Sequence, residues 1–409
     1  LLGGDASSVL RGMLTLALGT GMARLIGIVS IPILARVYAP EDYGILSVYS
    51  ALVAVIAPLL TLRYVLALPL PRTDAMAVNL LALSGMLLLG MAALAALFLW
   101  AFGDVILGWM SMAILAPWWW LVVLGAMAVA TYEAMSLWAT RQRAYGIIAR
   151  AKVLQSAIGE GTKLVLGLVD LKPLGLLFGH LVEQGGGSSA FLVRFWKDIK
   201  GNLRRVRKSR FRLLMGHYRG FPAFRLPSQF LLVFSVHAPA MFSAALYGAA
   251  TTGQLGLALM ALAMPANLIG QAAGQAFYGE IARLKRGSEA HIKRLVHAVQ
   301  KRLFLVGVPA AAGIFFLGEP LFRIAFGDRW TLAGTYAATL APSVLLQLTS
   351  APLIQILNIY NAQGGFLAIN LFRTAGLLAI YQACGSLSLP ADQFVRLLGA
   401  FLFLFYLLV

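Results

Sequence analysis

Three arginines lie inside long apolar runs of this chain, where a guanidinium is among the most costly groups to place. Arg24 and Arg63 fall in the first two runs, and Arg373 falls in a later run beside Asn370 and Thr374. We interpret these arginines as the first indication of a cargo-binding site.

Depth in the membrane separates the three arginines. At about 1.5 Å per helical residue, Arg24 lies near the middle of its run, with Thr20 and Gly27 one turn to either side. The alternative is that carbonyls of a neighbouring helix satisfy Arg24. Arg63 lies near the end of its run, so its charge can also reach the membrane surface. For Arg373 a structural role and a ligand-binding role are equally favoured.

Amide side chains form a second candidate set. Asn267, Gln271 and Gln275 recur every fourth residue, which places them in one stripe on a helix. Gln347 belongs to a similar polar stripe in a later run. Amides can bind sugar hydroxyls in a cavity, and they equally join helices within lipid.

Several titratable residues also fall inside apolar runs. Those that could carry a coupling ion are Glu133, Glu160, Glu183, His180 and His237. Each could equally serve as a local hydrogen-bonding partner, and Glu160 can be neutralised by Lys163 one turn away. The histidines and the single cysteine, Cys384, have no metal-binding spacing, so we expect no metal and no cofactor.

The elements that must position these residues are membrane helices. The 409 residues are 60% hydrophobic and 12% charged, with a mean hydropathy of +0.83, which is typical of polytopic membrane proteins. About twelve runs are long enough to cross roughly 30 Å of hydrocarbon. The sequence therefore predicts an all-α protein with about 12 transmembrane helices. The connecting loops leave little room for a catalytic apparatus, so we expect no enzyme.

The charge of the chain is concentrated in alternate loops. The net charge is +18, and its main clusters lie at 141–152, 197–212 and 283–302, whereas the intervening loops are nearly free of Lys and Arg. This positive-inside pattern predicts a cytoplasmic N-terminus and argues against nucleic-acid binding.

A weak internal repeat runs through the chain. Tyr38 and Gly44 open the second run, and Tyr247 and Gly253 open the eighth with the same spacing. Two parallel six-helix halves around a central cavity are an architecture found in transporters.

The repeat sets the predicted domains. We predict an N-terminal six-helix bundle at 1–200, a basic cytoplasmic linker at 201–217 and a C-terminal six-helix bundle at 218–409. The chain begins at Leu1 and ends inside an apolar run at Val409, so we expect the C-terminal bundle to be truncated.

The chain resembles a known family most closely between Arg24 and Pro71. The run 24–71, RLIGIVSIPILARVYAPEDYGILSVYSALVAVIAPLLTLRYVLALPLP, is similar to the amino-terminal signature of bacterial polysaccharide flippases. These Wzx-type translocases of O-antigen and exopolysaccharide belong to the multidrug/oligosaccharidyl-lipid/polysaccharide (MOP) superfamily. Weaker matches follow in the same order, at LWATRQRAYGIIARAKVLQS, FPAFRLPSQFLL and MPANLIGQAAGQAFYGEIA.

This resemblance implies a function and a location. The implied cargo is an undecaprenyl-diphosphate-linked oligosaccharide, flipped across the bacterial inner membrane by alternating access during O-antigen and lipopolysaccharide biosynthesis. By position, Arg24 and Arg63 match cavity arginines of such flippases, whereas Arg373 matches no motif. The implied partners are the lipid-linked oligosaccharide, inner-membrane lipids and a polysaccharide polymerase with its chain-length machinery. Coupling to a proton or sodium gradient is a further hypothesis.

Three other functions stay open. A multidrug cation antiporter of the same superfamily would carry a buried carboxylate in its first helix, where this chain has Arg24. A lipid II flippase differs mainly in its cargo. An integral membrane glycan polymerase would use the same lipid substrate, but it would require a long periplasmic loop with catalytic residues.

Overall fold

The fold is a set of long helices. A computed structural model of the chain describes the backbone of residues 4–204, 206–283, 289–359 and 363–408. Within these ranges no strand occurs. The helices are α1 (Gly4–Val37), α2 (Pro40–Leu60), α3 (Asp74–Trp109), α4 (Trp119–Arg141), α5 (Tyr145–Leu168), α6 (Leu174–Gly185), α7 (Ser188–Leu203), α8 (Lys208–His217), α9 (Leu226–Arg283), α10 (Glu289–Phe326), α11 (Thr331–Ile359), α12 (Gln363–Ser386) and α13 (Ala391–Leu408).

Eight stretches of the described residues are long and apolar enough to span a membrane. They are Leu14–Val37, Pro40–Leu60, Asp74–Trp109, Ala113–Arg141, Phe221–Met264, Lys293–Phe326, Leu367–Ser386 and Ala391–Leu408. The all-α, multi-pass prediction is therefore confirmed. The count of twelve stays a prediction, since helices such as α5, which carries Arg150, Lys152, Glu160 and Lys163, are not among the eight.

The second apolar run does not continue as one helix. Helix α2 ends at Leu60, two residues after Pro58, and a short 3₁₀ helix follows at Tyr64–Ala67. Between them Leu62 and Arg63 have positive φ angles of 47° and 61°, a left-handed conformation that costs an L-residue roughly 1–2 kcal/mol. Arg63 therefore lies at a backbone break, and not within a helix.

The sixth run is also broken. Helix α6 ends at Gly185 and helix α7 begins at Ser188, with Gly186 and Gly187 between them. Glycine loses more backbone entropy in a helix than any other residue, so three consecutive glycines favour an interruption at this point.

By packing, the chain divides into two compact units. Unit 1 comprises Leu1–Tyr38 and Val48–Val233, and unit 2 comprises Ala39–Ser47 and Phe234–Val409. The first two turns of α2 thus belong to unit 2. The six-helix bundles bounded at residues 200 and 218 stay a prediction.

In unit 1, the basic helix α8 is anchored by its apolar face. Phe211 and Leu214 are buried in a core cluster with residues of α3 and of the 3₁₀ helix, among them Tyr64 and Leu80. The hydroxyl of Tyr64 donates to the carbonyl oxygen of Met215 at 3.3 Å. These contacts hold α8 against the connection between α2 and α3.

In unit 2, two backbones approach closely at the repeated glycines. Helix α9 is kinked at Gly248, where φ is 78° and ψ is −173°. Just beyond the kink, Gly44 lies against the backbone of Ala249, and Gly253 lies against the carbonyl of Pro40, so that a Cβ atom on either glycine would overlap its neighbour. The repeat in the sequence thus marks a reciprocal close contact that requires glycine on both sides.

Candidate functional site

Two cationic side chains come together between α1 and α5 in unit 1. The ammonium of Lys152 lies 3.5 Å from the hydroxyl oxygen of Thr20, which lies one helical turn before Arg24 on α1. One turn further along α5, the hydroxyl of Ser156 donates to the carbonyl oxygen of Ala23 at 2.8 Å. The strip around Arg24 that the sequence predicted therefore gains a second positive charge.

This pair of cations favours an anion. Two like charges repel each other, and an anion bound between them converts that repulsion into two attractions. In the part of the chain that the structure describes, Lys152 forms no ion pair with a carboxylate. Both Lys152 and Arg24 are partly exposed, so a ligand can reach them.

The sequence analysis assigned Lys152 to the basic loop 141–152 and did not consider it for a binding site. Helix α5 begins at Tyr145, so Lys152 lies two turns inside the helix. That depth distinguishes Lys152 from Arg143, which lies before the helix, and the contact with Thr20 distinguishes it from Arg150, which is exposed on the same helix.

Arg63 and Glu133 form a partly buried ion pair. The Nη1 group of Arg63 donates to both carboxylate oxygens of Glu133, at 2.9 and 3.0 Å. The side chain of Arg63 is 10% exposed and that of Glu133 is 29% exposed. The sequence predicted these residues for different tasks, diphosphate binding and ion coupling, and the structure shows that they share one contact. Both roles stay predictions.

A five-residue polar cluster lies between α5 and α6. The ammonium of Lys163 lies 3.1 Å from Glu160 Oε1 and 2.7 Å from Glu183 Oε2. His180 Nδ1 lies 3.7 Å from the same Glu183 oxygen, and the side-chain amide of Gln184 lies 3.3 Å from His180 Nε2. With a neutral imidazole, two carboxylates and one ammonium leave one negative charge, which a single added proton neutralises.

In unit 2, Arg373 lies beneath aromatic rings. Its guanidinium carbon is 5.8 Å from the ring centre of Phe405 and 5.7 Å from that of Tyr406. Residue Arg373 is 9% exposed, and on the same helix Thr374 donates to the carbonyl oxygen of Asn370 at 2.8 Å. The rings stabilise the cation by cation–π attraction, and both roles considered for Arg373 stay predictions.

The structure describes the remaining predicted residues in less detail. The side chains of Asn267, Gln271 and Gln275 on α9 lie outside the described residues. Gln347 is exposed on α11, and His237 is partly buried on α9. The glycan-binding and ion-coupling roles assigned to these residues stay predictions.

Breaking the Arg63–Glu133 pair is expected to destabilise the protein. Glu133→Gln leaves the guanidinium without its charged acceptor, and we expect a loss of about 2 kcal/mol, less than for a fully buried pair because Glu133 is partly exposed. Thermal unfolding of the purified protein in detergent measures the change. Glu319→Gln, at an exposed position on α10, is the control and is expected to change stability by less than about 0.5 kcal/mol. Equal midpoints for both variants would show that the pair contributes nothing.

The fold defines the class of protein. The chain is similar to the lipid II flippase MurJ in an inward closed conformation, with a TM-score of 0.64 at 13% identity over 97% of this chain and 87% of that one. It is similar to an inward-facing multidrug resistance MATE family transporter of the MOP superfamily, with a TM-score of 0.58 at 14% identity over 96% and 92% of the two chains. A MATE transporter from Vibrio cholerae gives 0.56 at 13% identity over 98% and 94%. The chain therefore has the fold of MOP-type membrane transporters.

The sequence itself gives the family. A family model described as polysaccharide biosynthesis protein matches residues 33–334, and the chain belongs to this family. None of the curated proteins compared with the chain matches it. The resemblance predicted from residues 24–71 is thus confirmed for the family and the fold.

Proposed function

We propose that this chain is a flippase for a lipid-linked oligosaccharide. In this proposal it moves an undecaprenyl-diphosphate-linked glycan from the cytoplasmic to the periplasmic leaflet of the bacterial inner membrane, during O-antigen or related polysaccharide biosynthesis. Its family and its MOP-type fold support a transporter in polysaccharide biosynthesis. The observation that carries the proposal is the contact of Lys152 on α5 with Thr20 on α1, one helical turn from Arg24, which places two cationic residues at one helix contact of unit 1.

The chemistry of the cargo explains why cations are needed. A diphosphate cannot cross bare hydrocarbon, because removing its charges from water costs many kcal/mol unless they are paired. A cation at the membrane centre costs about 2.5 to 3.5 kcal/mol on insertion scales. Cargo and protein therefore offset each other's desolvation, and the proposed diphosphate ligands are Arg24 and Lys152.

The other predicted residues have supporting roles in this proposal. Arg63 is held by Glu133, so we assign it to positioning the break after α2. The glycan would lie in a cavity that includes the predicted amides of α9 and Gln347, while the prenyl chain stays in lipid. The basic loops place the N-terminus in the cytoplasm in this proposal.

Ion coupling is assigned to the cluster around Lys163. With His180 neutral, this cluster carries one net negative charge in a largely buried setting. His180 lies next to Glu183, so the cluster can take up and release one proton in this proposal. Of the other residues predicted for ion coupling, Glu133 forms an ion pair with Arg63, and His237 lies on α9, outside this cluster. Translocation in vesicles that is unchanged after collapse of both the proton and the sodium gradients would contradict coupling.

A second candidate function is the flipping of lipid II. The similarity to MurJ favours it, and the diphosphate requirement is the same. Cation antiport is disfavoured, because Arg24 and the neighbouring Lys152 would repel a cationic cargo.

Genetic complementation tests the proposed cargo. The chain is expressed in a strain without its O-antigen flippase and in a strain depleted of its lipid II flippase, with membrane levels checked by immunoblot. Restored surface polysaccharide in the first strain is expected. Restored growth of the second strain alone would assign lipid II as the cargo, and rescue of neither strain at normal membrane levels would contradict the flippase proposal.

A further inference from the structure

Unit 1 contains a pocket of about 810 Å³ between the start of α3 and helix α8. Two short segments line it, 70–73 with Met76 on one side and 212–214 with 216–218 on the other. The pocket lies at the end of a candidate membrane span, because α3 begins at Asp74. It therefore faces the region in which lipid headgroups lie.

The polar side of this pocket is cationic. Arg72, Arg212 and His217 line it and are exposed, and its described lining contains no carboxylate. Thr73 caps α3 by accepting from the backbone N–H of Met76 at 3.4 Å. The N-terminal end of α3 adds the positive end of its helix dipole to the two guanidinium groups, and the acidic residue of its first turn, Asp74, is paired with Arg141.

The remaining walls of the pocket are apolar. Leu70 and Leu213 are 58% and 60% exposed, and Leu214 and Met76 complete this side. Exposed leucines next to arginines, at the end of a membrane span, match a ligand with one charged end and one apolar end.

Both walls of the pocket are fixed in place. On one side, Arg141 donates to the carbonyl oxygen of Pro71 at 2.6 Å and to the carboxylate of Asp74 at 2.9 Å. On the other side, Phe211 anchors α8 in the core and Met215 accepts a hydrogen bond from Tyr64. A site that is already ordered loses less entropy when its ligand binds.

We propose that this pocket binds the phosphate headgroup of an anionic membrane lipid. The phosphate lies between Arg72, Arg212 and the first turn of α3, and the acyl chains run along Leu70 and Leu213. The proposal does not rest on the identity of the cargo, because none of these residues belongs to the site around Arg24.

Native mass spectrometry of the full chain in neutral detergent tests the site. The probes are dioleoyl phosphatidylglycerol, dioleoyl phosphatidylcholine and inorganic phosphate. The unaltered protein is expected to bind phosphatidylglycerol about tenfold more tightly than phosphatidylcholine, and Arg72→Gln with Arg212→Gln is expected to abolish this preference. Equal binding of both lipids by the unaltered protein would overturn the proposal.

Matched variants separate the pocket from general surface charge. Arg204→Gln with Lys208→Gln removes the same charge from exposed positions near α8 that do not line the pocket, and it is expected to keep the preference within twofold. Arg72→Lys with Arg212→Lys should retain most of the preference, which excludes misfolding as the cause of a loss. Equal losses in the glutamine pair and its control would overturn the site, and displacement of the lipid by millimolar inorganic phosphate would overturn its assignment to a lipid.

Discussion

Lys152→Gln is expected to reduce flipping of a diphosphate-linked oligosaccharide by about 10- to 100-fold while leaving the stability of the protein unchanged or higher. The loss follows from the removal of one charge-assisted contact to the diphosphate, worth about 1.5 to 3 kcal/mol. Stability should not fall, because the substitution relieves the repulsion between Lys152 and Arg24 in the empty protein. Arg24→Gln is expected to give a similar loss of flipping.

The measurement uses proteoliposomes with a fluorescent undecaprenyl-diphosphate oligosaccharide and, in cells, surface polysaccharide at matched membrane levels. Arg150→Gln is the control, since Arg150 is exposed two residues before Lys152 on the same helix. We expect this variant to keep at least about half of the activity, because a surface charge contributes little. Full flipping by Lys152→Gln would show that the cation pair does not bind the cargo.

Lys163→Met is expected to cause the largest loss of stability of any single substitution considered for this chain. The side chain of Lys163 is 8% exposed and contacts two carboxylates. Its removal leaves Glu160 and Glu183 close together without compensation, and breaking a buried ion pair in this way costs about 3 to 5 kcal/mol. Recovery of monodisperse protein from detergent extracts and the thermal midpoint measure the effect.

A combined variant separates the structural part of this cluster from its proposed role in coupling. Lys163→Met with Glu160→Gln and Glu183→Gln removes all three charges, and replacement of a complete ion cluster is often neutral for stability. We expect this variant to fold but to lose dependence on the ion gradient. Lys172→Met, which breaks an exposed pair with Asp170, is the control and should cost less than about 1 kcal/mol. A stable Lys163→Met variant would contradict the electrostatic account of the cluster.

The internal repeat shows which part of a helix contact can be predicted from the sequence. The spacing of Tyr38 and Gly44 matches that of Tyr247 and Gly253, and both glycines lie at one close backbone contact in unit 2. The pattern indicates a close backbone contact, because only glycine fits where two backbones touch. The sequence could not show that the two glycines face each other, since their contact depends on the packing of α2 against α9.

The sequence by itself determined the membrane class, the helical fold and the family, because apolar runs and motifs are local properties of the chain. Only the tertiary structure decided how the charges are grouped. Arg63 meets Glu133 across 70 residues, and Lys152 meets Thr20 beside Arg24 across 132. Which charges neutralise each other and which stay together to attract an anion depends on which helices are neighbours and in what register they pack, and residue spacing does not contain that information.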